Sequence, residues 1–207
     1  MATFPRTIMP RHASIPEVPR GMFSFGESGA AQLRATQQVG RVWTEEWPDL
    51  RLGKPNVAAF LAWLEWAQMT QDVFDVAHPA LPGSGIAPHG AGGGTPLVQG
   101  GSQTGTSLVT DGWTPNITKV VAGGDVIKIA GLTPLYRVRD DANSNGSGAA
   151  TLIITPAIPV GSSPADNAAI TRTGCTIRAV IWPKFEPPVG RAGVFVRGLT
   201  VSFREIV

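Results

Sequence analysis

Only one stretch of this sequence, from about Pro55 to Thr70, carries a convincing helical pattern. Elsewhere the 25 glycines and 18 prolines among 207 residues interrupt any long periodic pattern. The i, i+3, i+4, i+7 template is followed by Val57, Phe60, Leu61, Leu64 and Gln68, and Trp63 and Trp66 widen the apolar stripe. Asn56 is the expected N-cap. Because short alternating runs fill the rest, we predict a mainly β protein with one α-helix.

The composition favours a subunit of an assembly. Charged residues make up 15% of the chain and hydrophobic residues 43%, whereas an ordinary soluble domain carries roughly 25% charged residues. Much of the surface must therefore be uncharged. A surface of this kind is typical of a protein that buries part of it against neighbours.

Charge and cysteine content exclude several classes of protein. The net charge is +2, and the basic residues form no cluster that would predict a nucleic-acid groove. The single cysteine, Cys175, cannot form an intramolecular disulfide. Neither an 18-residue apolar run nor the apolar centre of a signal peptide occurs. We therefore expect no membrane partner and assembly in a cytoplasm.

The first part of the chain predicts an arm followed by a strand. Residues 1–29 contain four prolines, which predict an extended arm with at most one short strand. Residues 39–47 alternate as a β-strand, and this alternation puts Trp43 and Trp47 on one face. A short strand, residues 72–76, follows the helix.

Glycine then dominates residues 83–105, which predict a flexible linker with few apolar anchors. Beyond it, short strands separated by turn signals indicate a small β-barrel or sandwich over residues 106–178. The expected strands in this region are residues 120–121, 125–129, 135–138, 150–155 and 170–177.

The last part of the chain predicts a return to the first domain. Residues 195–204 alternate cleanly, with Phe195, Leu199, Val201 and Phe203 on one face. Such an amphipathic strand needs a partner, and the tryptophan-bearing strand is the natural one. We therefore predict a split β-barrel or sandwich core formed by residues 1–82 and 179–207, with a small β-barrel domain inserted into it.

The motifs that usually carry chemistry are incomplete here. The glycine spacing of residues 100–107 is that of a phosphate loop, but Thr106 stands where a lysine is needed. Residues 141–146 match the start of a calcium loop, yet the twelfth position is Leu152 and not glutamate, so a hairpin turn at Asn145-Gly146 is the better interpretation. The three histidines lack partners at ligand spacing. We expect no catalytic residue, no cofactor and no metal.

Four of the six tryptophans belong to the predicted core domain. Trp43 and Trp47 lie on the first strand, and Trp63 and Trp66 lie on the helix. We expect these four side chains to fill the core of the domain or its oligomer interface.

Several segments together resemble the distal tail proteins of long-tailed bacteriophages (siphophages). The segments similar to the N-terminal half of that family are FSFGESG (23–29), QLRA (32–35), VWTEEWPDL (42–50), the helix and VFDV (73–76). The segments that resemble the inserted β-domain and the returning strand are GDVIKIAG (124–131), LYRV (135–138), ATLIITP (150–156) and GLTVSFRE (198–205).

The resemblance implies a structural virion protein without catalysis. It would form a homohexameric ring at the distal end of the tail tube, joining the tube protein to the tail hub and the receptor-binding proteins, with nucleic acid only passing through the ring. Three alternatives stay open. One is a tail-tube or tail-terminator subunit; another is a carbohydrate-binding module in which Trp113 or Tyr136 stacks a sugar; the third is a cell-wall hydrolase.

Overall fold

The computed structural model describes residues 2–16, 23–25, 31–33, 40–51, 53–182, 195–196 and 198–206. Within them the chain is mainly β with one α-helix, which confirms the predicted fold class. The elements in chain order are β1 (Ala2–Thr3), β2 (His12–Ala13), β3 (Phe23–Phe25), β4 (Ala31–Leu33), β5 (Val42–Glu46), β6 (Leu50–Arg51), α1 (Pro55–Thr70), β7 (Phe74–Val76), β8 (Gly94–Val98), β9 (Gly105–Trp113), β10 (Val126–Ile129), β11 (Leu135–Val138), β12 (Ala150–Ile158), β13 (Ile170–Thr171), β14 (Ile177–Ile181), β15 (Phe195–Val196) and β16 (Thr200–Glu205).

The chain divides into two compact units. The first comprises Met1–Phe4 and Phe74–Arg178, and the second comprises Pro5–Val73 and Ala179–Val207. The boundary therefore falls at residue 73, before the strand β7, and not after residue 82 as the sequence suggested. β7 belongs to the first unit, where it pairs in parallel with β1.

The first unit contains a six-stranded antiparallel sheet in the order β13-β10-β11-β12-β9-β8. Its two edge strands approach each other, because Val98 N donates to Ala168 O at 2.9 Å and Asn167 N donates to Val98 O at 2.9 Å. These bonds nearly close the sheet into a barrel. The interior is filled by apolar side chains, among them Leu108, Ile127 and Leu152.

The predicted linker is part of this barrel. Residues 94–98 form β8, which pairs with β9 through Leu97 opposite Asp111 and Val98 opposite Thr110. The prediction of a flexible linker over residues 83–105 is therefore wrong. Glycine is used here because the chain takes left-handed conformations and close approaches: Gly94 has φ +76, and a Cβ at that position would lie 2.1 Å from Gly112 O.

Two predicted strands of the barrel are shorter than expected. Residues 120–121 form only a bridge, between Val121 and Ala142. The expected strand over residues 170–177 is divided, because Gly174 has φ +65 and the chain leaves β13 after Thr171. Cys175 then lies buried between β13 and β14.

In the second unit β16 pairs with β5, as the alternation predicted. Phe203 lies opposite Trp43 and Val201 opposite Glu45, and β16 also pairs with residues 179–181 of β14. The final strand is nevertheless not continuous. Gly198 has φ +63, which separates β15, the partner of β6, from β16.

The N-terminal arm packs on its own chain as far as the structure describes it. β2 pairs with β5, with His12 opposite Glu46, and Trp47 Nε1 donates to Ile8 O at 3.1 Å. Residues 1, 17–22 and 26–29 of the predicted arm lie outside the described residues. The described part of the arm is therefore a component of the fold rather than a free extension.

Candidate subunit interface

The helix α1 buries one face in the second unit. Val57, Phe60, Leu64 and Ala67 are its buried residues. The first three belong to the predicted stripe, whereas Leu61, Trp63 and Gln68 of that stripe are half-buried and Trp66 is exposed. The helix starts at Pro55, in the first turn, where proline costs no hydrogen bond. The expected capping by Asn56 is wrong, because the N-cap is Lys54, which makes no side-chain cap bond.

The opposite face of α1 is poor in charge. Six of its exposed residues are apolar: Pro55, Ala58, Ala59, Ala62, Trp66 and Met69. We call these six residues the outer face of α1. Asn56, Glu65 and Thr70 are exposed as well, and Glu65 is the one charged residue between positions 55 and 70. A surface helix normally places several charged side chains on the side opposite the core, so a single charge there departs from the ordinary pattern.

The large side chains of the outer face lie at its C-terminal end. Trp66 is 41% exposed and Met69 is 79% exposed. Trp63, which is half-buried, flanks Trp66 with a distance of 6.0 Å between the ring centroids. Aromatic residues and methionine are the residues that protein interfaces favour at their centres.

The structure separates the four tryptophans of the prediction into two groups. Trp43 stacks on Phe203 with ring centroids 5.1 Å apart, and Trp47 packs against Phe60 at 5.3 Å. Both of these tryptophans are buried in the second unit. Trp43 and Trp47 are therefore core residues, and only the helix pair, Trp63 and Trp66, remains available for an interface.

The barrel tryptophan and tyrosine cannot act as sugar-stacking platforms. Trp113 is 3% exposed and Tyr136 is 1% exposed, and both belong to the apolar interior of the barrel. The indole nitrogen of Trp113 donates to Thr110 Oγ1 at 2.7 Å. A carbohydrate site built on these two residues, as the sequence suggested, is excluded because a sugar could not reach either ring.

The oxygen-rich loop forms a turn, and its side-chain oxygens accept bonds from the protein. Asp141 Oδ1 accepts from Gly123 N at 2.8 Å, and Asn143 Oδ1 accepts from Lys119 N at 2.7 Å. The Lys119 ammonium beside Asp141 and the Gly123 amide lower the pKa of that carboxyl. The left-handed residue of the turn is Gly148, with φ +76, and not the Asn145-Gly146 pair that the sequence favoured.

The polar residues near the start of the barrel have structural bonds. Ser84 Oγ accepts from His78 N at 2.9 Å and donates to Cys175 O at 2.5 Å. Asp125, also buried, accepts from the backbone nitrogens of His89, Gly90 and Ala122 at 2.7 to 3.1 Å. These bonds attach residues 78–90 to the barrel.

Within the described ranges, no group of three or more His, Cys, Asp or Glu side chains is placed to hold a metal ion. No helix among the same residues is long and apolar enough to span a membrane.

Sequence reasoning missed the extent of the outer face. The helical pattern predicts which face of α1 is buried, and it gives no role to Met69 or to the alanines on the other face. The signal was present in the composition of α1, which carries a single charged residue over 16 residues. Comparison with models of protein families and with curated proteins finds no match to this chain.

Proposed function

We propose that the protein is a structural, non-catalytic subunit that assembles into a ring at the distal end of a bacteriophage tail tube. In this role it joins the tube protein to the tail hub and the receptor-binding proteins, and its location is the tail tip of the virion. Two observations support the proposal. The first is the resemblance of the chain segments to distal tail proteins, and the second is the outer face of α1.

The outer face of α1 is the single structural observation that carries the assembly. Six exposed apolar residues, including Trp66 and Met69, lie on a 16-residue helix whose one charged residue is Glu65. Solitary exposed apolar residues are common on monomers, but a contiguous patch marks an interaction site. Covering this patch removes the indole and the thioether from water, which favours association.

A second copy of this chain is the proposed partner of the outer face. The net charge of the chain is only +2, so electrostatic repulsion between copies is weak. If the outer face met itself, a two-fold dimer would result, whereas contact with a different surface of the next copy closes a ring. We propose the second arrangement, with six copies by resemblance to the family.

The experiment is a mass measurement on the purified protein and two variants. Trp66→Glu/Met69→Glu places two charges in the proposed contact, and Val160→Glu places a charge at a residue that is 93% exposed on the barrel unit. We expect a ring for the wild type and for Val160→Glu, and protomers for the double variant. Circular dichroism confirms that all three are folded.

Two results contradict the proposal. One is a wild-type protein that stays monomeric at high concentration, both alone and with tail-tube protein. The other is a double variant that forms rings as readily as the wild type. Position within the tail is tested separately, because tail-tube and tail-terminator subunits also form rings. Antibody labelling of assembled virions should mark the distal tip, and labelling along the tube or at the head junction would reassign the subunit.

A further inference from the structure

A cleft lies in the second unit, where β14 and β16 end. Its volume is about 390 Å³. The residues that carry its chemistry are Gln71, Trp182, Arg204 and Glu205, with Gly40 and Ile206 beside them. An open cleft that combines an aromatic ring with a few polar groups is the usual form of a small-ligand site.

The strand register brings Trp182 and Arg204 together. Val180 lies opposite Arg204 in the antiparallel pair, and Trp182 N donates to Ser202 O at 2.9 Å. Trp182 and Arg204 are therefore diagonal neighbours across two strands. The Arg204 guanidinium carbon lies 5.9 Å from the centroid of the Trp182 ring, within the range of a cation–π contact. Trp182 remains 53% exposed.

The carboxylate of the cleft is held by an arginine outside it. Glu205 is buried, and its Oε2 accepts from Arg41 N at 3.2 Å and lies 4.0 Å from Arg41 Nε. The two backbones are close at this point, since a Cβ on Gly40 would lie 1.8 Å from Glu205 O. The negative charge of Glu205 is therefore balanced by Arg41.

The second arginine of this region, Arg204, adds a positive charge to the cleft. No carboxylate in the described part of the chain lies within ion-pair distance of Arg204. Since Glu205 pairs with Arg41, Arg204 carries the uncompensated charge among the described residues that line the cleft. A ligand that fits must offer a flat or apolar face to the indole and an anionic group to the guanidinium.

We propose that this cleft binds an acidic sugar, namely a hexuronic acid unit of a polysaccharide. The apolar face of the pyranose stacks on Trp182, and the sugar carboxylate accepts two bonds from the Arg204 fork, a geometry that lysine cannot provide. The Gln71 amide supplies a donor and an acceptor for hydroxyl groups. The site adds surface-glycan recognition to the structural role, and it does not depend on ring formation.

The test uses a charged and a neutral probe with the same sugar chain: trigalacturonic acid and its methyl ester at all three carboxyl groups. Binding is measured by titration calorimetry on the full chain. We expect the acid to bind at least tenfold more tightly than the ester. Trp182→Ala should weaken binding of both probes, whereas Arg204→Leu should lower affinity for the acid to that of the ester. Arg204→Lys keeps the charge but loses the two parallel N–H donors of the guanidinium. Its affinity for the acid should lie between those of the wild type and Arg204→Leu.

Arg139→Leu is the matched control, because Arg139 is an exposed arginine on the barrel unit that pairs with Asp140. It should bind both probes like the wild type. Melting curves show whether each variant is folded. The proposal is overturned if neither probe binds the wild type, if acid and ester bind equally, or if folded Trp182→Ala or Arg204→Leu binds the acid as the wild type does. The ring measurement is independent of all of these results.

Discussion

Arg6 and Glu45 form a bidentate ion pair between the N-terminal segment and β5. Arg6 Nη2 donates to Glu45 Oε1 at 2.7 Å, and Arg6 Nη1 donates to Glu45 Oε2. The Glu45 side chain is fully buried, and its Oε1 also accepts from Trp43 Nε1 at 3.1 Å. The segment before β2 thus supplies the counter-charge for a carboxylate inside the core of the second unit.

Removing Arg6 should destabilise the second unit more than any other change in the N-terminal segment. Arg6→Ala leaves the buried carboxylate without its cation, which costs about 3–5 kcal/mol in comparable pairs. Urea unfolding measures the loss of unfolding free energy. Arg11→Ala, an exposed arginine of the same segment, should change it by less than about 0.5 kcal/mol. Equal effects of the two variants would contradict a structural role for the ion pair.

This pair also changes the expected outcome of truncation. Deleting residues 1–20 removes most of the segment that the sequence predicted to be an extended arm. Since the described residues of the arm complete their own protomer, the deletion should lower the melting temperature as well as any ring content. A truncated chain with the melting temperature of the wild type would show that the arm does not contribute to the stability of its own protomer.

The connection between β8 and β9, residues 99–104, should resist protease because the Gln103 side chain forms hydrogen bonds across it. Gln103 Nε2 donates to Gln99 O at 2.8 Å and to Val109 O at 3.0 Å, while its Oε1 accepts from Val109 N at 2.6 Å. Gln103→Ala should cost about 1–2 kcal/mol and open residues 99–105 to a broad-specificity protease. Gln99→Ala is the control. Gln99 takes part through its backbone carbonyl, so the substitution keeps these bonds. Rapid cleavage of the wild type at residues 83–105 would contradict the strand assignment.

Alternation in the sequence was enough to predict that β16 pairs with β5. Trp43 on β5 and Val201 and Phe203 on β16 are buried at alternate positions, although Glu45 and Glu205 occupy the next buried positions of the two strands. The strand β8 could not be found in this way. Its sequence, GTPLV, contains a glycine and a proline, and its place in the barrel depends on partners in β9 and on the contact with residues 167–169.

The sequence identified the tryptophans of the candidate interface but not which of them face outward. A tryptophan can fill a core or an interface, and the sequence does not say which neighbour covers it. Trp47 stands next to Glu46 and Pro48 in the sequence and Trp66 lies in an apolar helix, yet Trp47 packs against Phe60 in the core while Trp66 faces outward on α1. The tertiary arrangement of β5 and the helix decides between them.

Asn145, and not a bound cation, should hold the turn between residues 141 and 149. Its Oδ1 accepts from Ser147 N at 3.0 Å, Ser147 Oγ at 2.8 Å and Ala149 N at 2.9 Å. Asn145→Ala should therefore cost about 1–2 kcal/mol, whereas Asn145→Asp, which keeps the acceptor, should cost less. Calcium or a chelator should leave the melting temperature of the wild type unchanged. A calcium-dependent rise of several degrees would show that the loop binds the ion.

Cys175 should make the first unit sensitive to alkaline pH. The thiol is buried, with Sγ 3.3 Å from Thr171 O and 3.9 Å from Val126 O. Burial disfavours the thiolate and raises the pKa of Cys175 from 9.0 to about 11. The unfolded chain therefore loses this proton at lower pH than the folded chain does. The stability that the neutral thiol contributes is complete below pH 9 and declines as the pH rises through 11.

Comparison with Cys175→Ala isolates this effect from the lysines and the tyrosine that titrate in the same range. Urea unfolding at pH 8 and at pH 10.5 gives the free energy of unfolding of both proteins. We expect the wild type to lose more stability than Cys175→Ala between the two pH values. The same burial should make alkylation of the folded protein by iodoacetamide slow at pH 8. A fast reaction at pH 8, or parallel pH profiles for the two proteins, would mean that the thiol is not held in its neutral form by the barrel.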